Sequence, residues 1–527
     1  MTEKEAKAHR QASSGIQNVC RSFLFRLVQA LSFADAGEDL NIPAIQAARL
    51  TERNLNRLRA GIAAPAYDRH ATNIGIVHFG PGAFHHGHQA WYVDALLPRD
   101  PRWGISEVEL RAGVLADAFA AQDCLYTVAE LDEQIRFQVI GSVKEYIVAS
   151  ENQEAAFSRL IMPSVRLVTA TVSEKGYCLD GSGALDVNHG DIKHDLEHPK
   201  SPISLVGWVT EGLVRRRAAG LAPFVVASCD NMVANGEKLR AAVLKFAQAR
   251  DDKELAAWIA GEVRFPCTMV DSITPATDEA LRQKVAEAIG LRDEAPVHRE
   301  AFVQWVIEDI LGPDAPDFAS VGANLTTDVK AFELAKLRLL NGAHSTLTYI
   351  GLLMDYSSVG EAMKDDRLAA FVGRMMREDI VPSLRQTRGL DFESYIADIL
   401  QRFRNPALTH KLYQIASDGS QKLPYRILGT IADALDTGRP IDRLAVPVAA
   451  WMQFVVREAK AGRTFADPLS DTLVKIGQAC EGKARQDVPR FLALTNVFTR
   501  GLVNNQDFGA AVGAAYDRYA DGRLLSD

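Results

Sequence analysis

Long hydrophobic runs are missing from this chain: no stretch reaches the roughly 18 apolar residues that a membrane-spanning helix requires, so a soluble protein without a membrane partner is expected. An excess of positive charge is missing too. Lys and Arg number 59 against 67 Asp and Glu, giving a formal net charge of -8, and no basic block stands out. A nucleic-acid binder would concentrate Lys and Arg into a face or stripe, so that partner class is excluded. Cysteine is sparse. Cys20, Cys124, Cys178, Cys229, Cys267 and Cys480 show no CxxC spacing, which fits neither a zinc site nor a disulfide scaffold and points to a reducing cytoplasm. Internal repeats and low-complexity tracts are also absent. What remains is ordinary globular composition, 47% hydrophobic and 24% charged over 527 residues, enough for two or three domains.

The first 69 residues form an extension in which Phe23, Leu24, Leu27, Val28 and Leu31 recur at helical spacing, beside Arg10, Arg21 and Arg26. Glu3, Glu5, Asp35, Glu38 and Asp39 break the acid-poor pattern of an organellar presequence, so a helical surface extension is the expectation. From about Asn73 strands and helices alternate: IGIVHF, a helix from His88 to about Leu97, WGISEVEL, RLVTATV, a helix from Ser204 to about Ala219, and PFVVASC. Such alternation predicts a mostly parallel sheet covered on both faces. Charge and proline interrupt the pattern between Asp293 and Pro296. Beyond it FVQWVIEDIL, AFELAKLRLLNGAHSTLTYIGLLMDY, RLAAFVGRMM and FLALTNVFTR carry apolar residues three and four apart. The predicted fold is therefore an α/β Rossmann-like domain over residues 70–295, followed by an all-α domain over residues 296–527.

Gly80 and Gly82 follow the first strand directly and lead into Ala83 and Phe84 at a helix start. There the backbone can turn tightly and offer N–H groups to a dinucleotide pyrophosphate. Alone, this GxG serves equally as a nucleotide loop or a plain turn. Glu109, with Glu107 as alternate, sits at the distance where an acid would hold ribose hydroxyls, or it is a solvated strand end. His78, His85, His86 and His88 suggest a metal, but no further ligands stand at helical or hairpin spacing, and no metal is expected. Polar side chains beside a pyrophosphate explain them as well.

Lys336 carries the strongest chemical signal. Within KLRLLNGAH it is flanked by Leu334, Ala335, Leu337, Leu339 and Leu340, and burial would lower its pKa until it exchanges protons near neutrality. At about 100° per residue, Asn341 lies roughly 140° and His344 roughly 80° from it, so one broad helix face presents all three. Both can hydrogen-bond a reacting oxygen. The alternative is a lysine that extends to solvent along the core surface. Asn231, after the PFVVASC strand, is either a donor to a developing oxyanion or a helix cap.

Taken together, GPGAFHHGHQ, VSEKGYC, SCDNM, FPCTMVDSITPAT, QWVIED and KLRLLNGAHS resemble the mannitol dehydrogenase family of long-chain polyol dehydrogenases, from about residue 70 to the C-terminus. ASDGSQKLPYR, WGISEVEL and FPCTMVD look most like its fructuronate-reducing branch. The resemblance implies a metal-independent, NAD-dependent ketone and secondary-alcohol interconversion, acting on a hexuronate and aldonate or on a neutral polyol. It implies Lys336 as acid/base with Asn231, Asn341 and His344 around the reacting oxygen, Glu333 beside a proton channel, and Glu174 and Asp271 near the substrate. Gln414 stands where polyol-specific members usually carry arginine, which moves the reading toward a uronate; Ser272 replaces the arginine of MVDRITP. A uronate carboxylate should meet a cation, and Lys422 is the first choice among Lys411, Lys422, Arg402 and Arg426. A monomer or weak homo-oligomer is expected. The competing readings are a polyol dehydrogenase and a non-catalytic NAD(H)-sensing module.

Overall fold

The computed structural model describes residues 47–520 other than 112, 114 and 409, together with Leu525. The expected helical extension falls largely on residues 1–46, outside the described residues. Residues 47–69 are not a long helix: they carry only the 3-10 turn Glu52–Arg57 and the start of a second, Arg69–Ala71.

Five strands form an all-parallel sheet in the spatial order Val143–Val148, Gly104–Glu109, Ile74–Phe79, Leu167–Ala170, Val225–Ser228. In chain order this is 3-2-1-4-5, the Rossmann arrangement, with its switch point between the first and fourth strands. Strand interiors such as Ile76, Val77, Val168 and Val226 are buried, as expected of parallel strands covered on both faces. Helix Leu205–Ala218 covers one face, its start capped by the Ser204 hydroxyl, which accepts from Gly207 N.

Two three-stranded sheets flank the parallel one, Asn324–Thr326 with Gln304–Glu308 and Thr268–Asp271, and Arg136–Ile140 with Tyr126–Leu131 and Val297–Glu300. These correct the expected boundary at residue 296. FVQWVIEDIL holds a strand because Trp305, Val306 and Ile307 are buried in succession, a short run whose periodicity cannot separate strand from helix. The Asp293–Pro296 interruption is a turn inside the α/β region, pinned by the buried Asp293 carboxylate, which accepts from Gln122 Nε2 and Thr127 N. Helices take over at Val329–Ala335 and continue through the packed Asp442–Lys460 to Gln506–Ala520. Met269 and Val306 of the small sheet share one apolar cluster with Phe332, Leu339 and Leu347 of the helical region. Among the described residues no helix is long and apolar enough to cross a membrane.

Candidate active site

Lys336 does not lie in a regular α-helix. Val329–Ala335 passes into a π-turn, Lys336–Asn341, before α geometry resumes at Gly342–Leu353. Hydrogen bonding from i to i+5 widens the turn and brings Asn341 back over Lys336, closer than the α-helical angle allows. Both side chains line a cleft of about 1180 Å³, with Asn231, Glu174, Glu333 and Lys422. Lys336 Nζ donates to Asn231 Oδ1 at 2.9 Å and to the Val270 carbonyl at 2.6 Å. Burial lowers its pKa from the ordinary lysine value, opposed by the Asp271 charge and assisted by Arg402. Asn231 is thus a partner of the lysine rather than a cap: helix Asn235–Ala249 begins four residues later with Ala234 at its N-cap.

Glu333, one turn before the lysine, accepts from Ala234 N at 3.1 Å, and burial raises its pKa to about 7. His344 stands one turn beyond Asn341, stacked on Phe403 with ring centroids 5.2 Å apart. Its Nε2 is buried and has no hydrogen-bond partner among the described residues, and burial with the neighbouring His410 and Arg426 lowers its pKa to about 3, leaving a neutral imidazole.

Other expected contacts move. Asp271 is not open to substrate, because Arg402 takes both its carboxylate oxygens at 2.8 and 3.0 Å while also binding Glu300. Burial pushes the Asp271 carboxyl up, but Arg402 and Lys336 hold it below its ordinary value. Asp271 therefore acts as a fixed negative charge behind the lysine, and Arg402 is spent. Lys411 is exposed, paired through its backbone to Ser358, and is not among the cleft-lining side chains; Gln414 is exposed beside it. Lys422 lines the cleft, but its Nζ donates to the Ser417 and Ile415 carbonyls at 2.6 and 3.3 Å. Glu174 lies exposed on the 3-10 turn Glu174–Tyr177 at the cleft wall.

At the carboxyl edge of the parallel sheet, Gly80 adopts φ +79°, and a Cβ there would stand 2.5 Å from the Thr171 carbonyl, so only glycine lets the first and fourth strand ends meet. Gly82 precedes helix Ala83–Gly87, and a Cβ on it would meet nothing within 4 Å, leaving its outer side open. Ala83 and Phe84 form the first turn, uncapped by any side chain. Glu109 is half-buried at the end of the second strand, where its carboxylate accepts from Arg111 N at 3.3 Å. Glu107 is excluded as a ribose partner. It is fully buried, accepting from His86 Nε2 at 3.0 Å with His85 Nε2 3.3 Å away. The histidines are cross-links rather than a polar rim. His78 bridges Thr169 and Thr171, and His88 Nε2 meets the Gln304 carbonyl.

Sequence reasoning missed Asp230. Its carboxylate accepts from Val172 N, Ser173 N and Tyr177 OH, tying the ends of the fourth and fifth strands together beside Asn231. Its position after a buried strand was the available signal, read only for its neighbour. Cys178, His189 and Asp191 bring potential metal-ligating atoms within 4.8 Å of one another away from Lys336, but Asp191 is engaged with Arg111.

The arrangement sets an amine of lowered basicity and two carboxamides near the switch-point crevice of an α/β sheet, where ligands of such sheets gather, while the neutral His344 imidazole is not among the cleft-lining side chains. Residues 74–316 match the mannitol dehydrogenase Rossmann domain and residues 328–520 the mannitol dehydrogenase C-terminal domain. The chain is 41% identical to the D-mannonate oxidoreductase of Escherichia coli, over 87% of this chain and 96% of that protein. It is 37% identical to a mannitol 2-dehydrogenase of Aspergillus fumigatus, over 87% and 94%. Among solved structures, substrate-free D-sorbitol dehydrogenase superposes with a TM-score of 0.83 at 32% identity, covering 90% of this chain and 99% of that one. Pseudomonas fluorescens mannitol 2-dehydrogenase, solved with NAD and D-mannitol, gives 0.75 at 36% identity, covering 91% and 98%. On its two domain matches and these relatives, the chain belongs to the mannitol dehydrogenase family of oxidoreductases.

Proposed function

We propose that the protein is an NAD-dependent ketone reductase and secondary-alcohol dehydrogenase whose substrate pair is D-fructuronate and D-mannonate. The observation that carries this reading is the half-buried Lys336 amine, held by Asn231 and the Val270 carbonyl in the same cleft as Asn341. The Gly80 turn and the open side of Gly82 support a pyrophosphate held against the Ala83 and Phe84 N–H groups, and Glu109, at the end of the second strand, would accept from the ribose hydroxyls. When bound, the nicotinamide supplies or accepts the hydride.

The side chains manage the proton. In reduction, the Lys336 ammonium gives a proton to the oxygen of the ketone as negative charge develops there; in oxidation, the neutral amine takes it from the alcohol. Asn341, and Asn231 through its contact with the lysine, orient that oxygen; His344, one turn beyond Asn341, has an unpartnered buried Nε2 and stands outside the cleft lining. Glu333 exchanges the proton onward to solvent. The uronate reading draws on the D-mannonate oxidoreductase relative and on the cations Lys422 and Arg426 in the cleft. A neutral polyol is the second reading, favoured by the mannitol 2-dehydrogenase relatives.

Initial rates with fructuronate, tagaturonate, fructose and mannitol, each with both nicotinamide cofactors, test it. Fructuronate with NADH should give the highest kcat/KM. A higher value for mannitol with NAD would establish the polyol reading, and no turnover on any of the four would leave a cofactor-sensing module.

A further inference from the structure

We propose that Arg426 is the anchor for the substrate carboxylate and so the residue that sets uronate over neutral ketose; the inference rests on the uronate reading above. Arg426 sits on a second π-turn, Pro424–Leu428, and lines the same cleft as Lys336 and Asn341. The two π-turns meet through Gly342, where an added Cβ would stand 2.9 Å from the Arg426 carbonyl. The guanidinium is thereby carried to the lysine's own helix: Nη1 donates to Ser345 Oγ at 3.0 Å and approaches the Asn341 carbonyl at 3.5 Å.

Those two acceptors are neutral. Among the described residues Arg426 forms no ion pair, whereas Arg402 is saturated by Asp271 and Glu300, and Arg338 is paired with Asp433. Burial lowers the Arg426 pKa, the expected consequence of a cation partly removed from water without a counter-charge. A half-buried cation that faces the cleft without a counter-charge is a ready anion site, and a guanidinium offers a carboxylate two parallel N–H bonds. Lys422, the other cation on that wall, already spends its ammonium on two backbone carbonyls. In D-fructuronate the carboxylate lies at the opposite end of the carbon chain from the reacting ketone, so an anchor set apart from Lys336 is what the substrate requires.

The test compares the wild-type enzyme with Arg426→Met and Arg426→Lys for NADH-dependent reduction of D-fructuronate and D-fructose. In Arg426→Met the ratio of kcat/KM for fructuronate over fructose should fall roughly 100-fold or more, mainly through KM for the uronate, with added guanidinium ion restoring part of it. Arg426→Lys keeps the charge but loses the fork, and should fall in between. Thermal melts of each variant with NADH confirm that it is folded. Equal losses on both substrates, or a ratio within threefold of wild type in Arg426→Met, would overturn the assignment. Should the wild-type enzyme itself not prefer fructuronate to fructose, the uronate reading fails first and the anchor with it.

Discussion

Lys336 and Glu333 stand one helical turn apart with pKa values moved toward each other, the amine downward and the carboxyl upward to about 7, both chiefly by burial. The signs give a pH profile. Alcohol oxidation needs the neutral amine, so its rate rises with pH through a lysine pKa below 10.5; ketone reduction needs the ammonium and falls across the same window. Glu333 is protonated below about 7 and ionised above it, so as proton acceptor from the lysine it adds an inflection near 7 to the oxidation profile. Glu333→Gln should remove that inflection while NADH affinity stays within about twofold; a persisting inflection would exclude the carboxyl as relay. The lowered basicity of Lys336 was legible in sequence, because its apolar neighbours already foretell desolvation, whereas Glu333 was singled out by the family resemblance alone. Asp271, expected near the substrate from the resemblance alone, and Glu107, the alternate to Glu109, are engaged elsewhere: their partners Arg402 and His86 are 131 and 21 residues away, and no local pattern records that pairing.

At the scale of elements, the π-turn Lys336–Asn341 does what α periodicity cannot. Sequence spacing put the lysine and the asparagine roughly 140° apart on an α-helix, whereas an i to i+5 turn stacks them. Nothing in KLRLLN announces the change; the turn packs against the second π-turn, Pro424–Leu428, which is distant in sequence. Gly342 is the contact point. Gly342→Ala would set a Cβ 2.9 Å from the Arg426 carbonyl and force that backbone away, costing about 1–3 kcal/mol of stability by overpacking. A thermal melt and the uronate KM check it together: Tm should fall and KM should rise, and an unchanged pair would show that the two turns move independently. The strand Gln304–Glu308 illustrates the opposite failure, an apolar run too short for its period to declare itself.

Taken whole, the alternation of strands and helices after Asn73 was readable as a parallel sheet, and its 3-2-1-4-5 order places the Gly80 turn at the switch point. The two small flanking sheets were not readable, because their strands come from distant parts of the chain, as Tyr126–Leu131 beside Val297–Glu300 shows. They also join the halves: Met269 and Val306 share a core with Phe332 and Leu339, and the described residues from Ala47 onward form one compact unit. Saturating NADH at about 100 times its Kd should therefore stabilise the protein by about 2.7 kcal/mol as a single cooperative transition. Calorimetry showing two transitions, only the lower responding to NADH, would contradict that coupling.

The central claim is that the Lys336 amine moves the proton while the rest of the cleft binds. Single-turnover mixing of NADH-saturated Lys336→Ala enzyme with D-fructuronate tests it most directly. The account predicts that NADH oxidation slows by about 100- to 10,000-fold while NADH affinity is retained. A single-turnover rate close to that of the wild-type enzyme would contradict it.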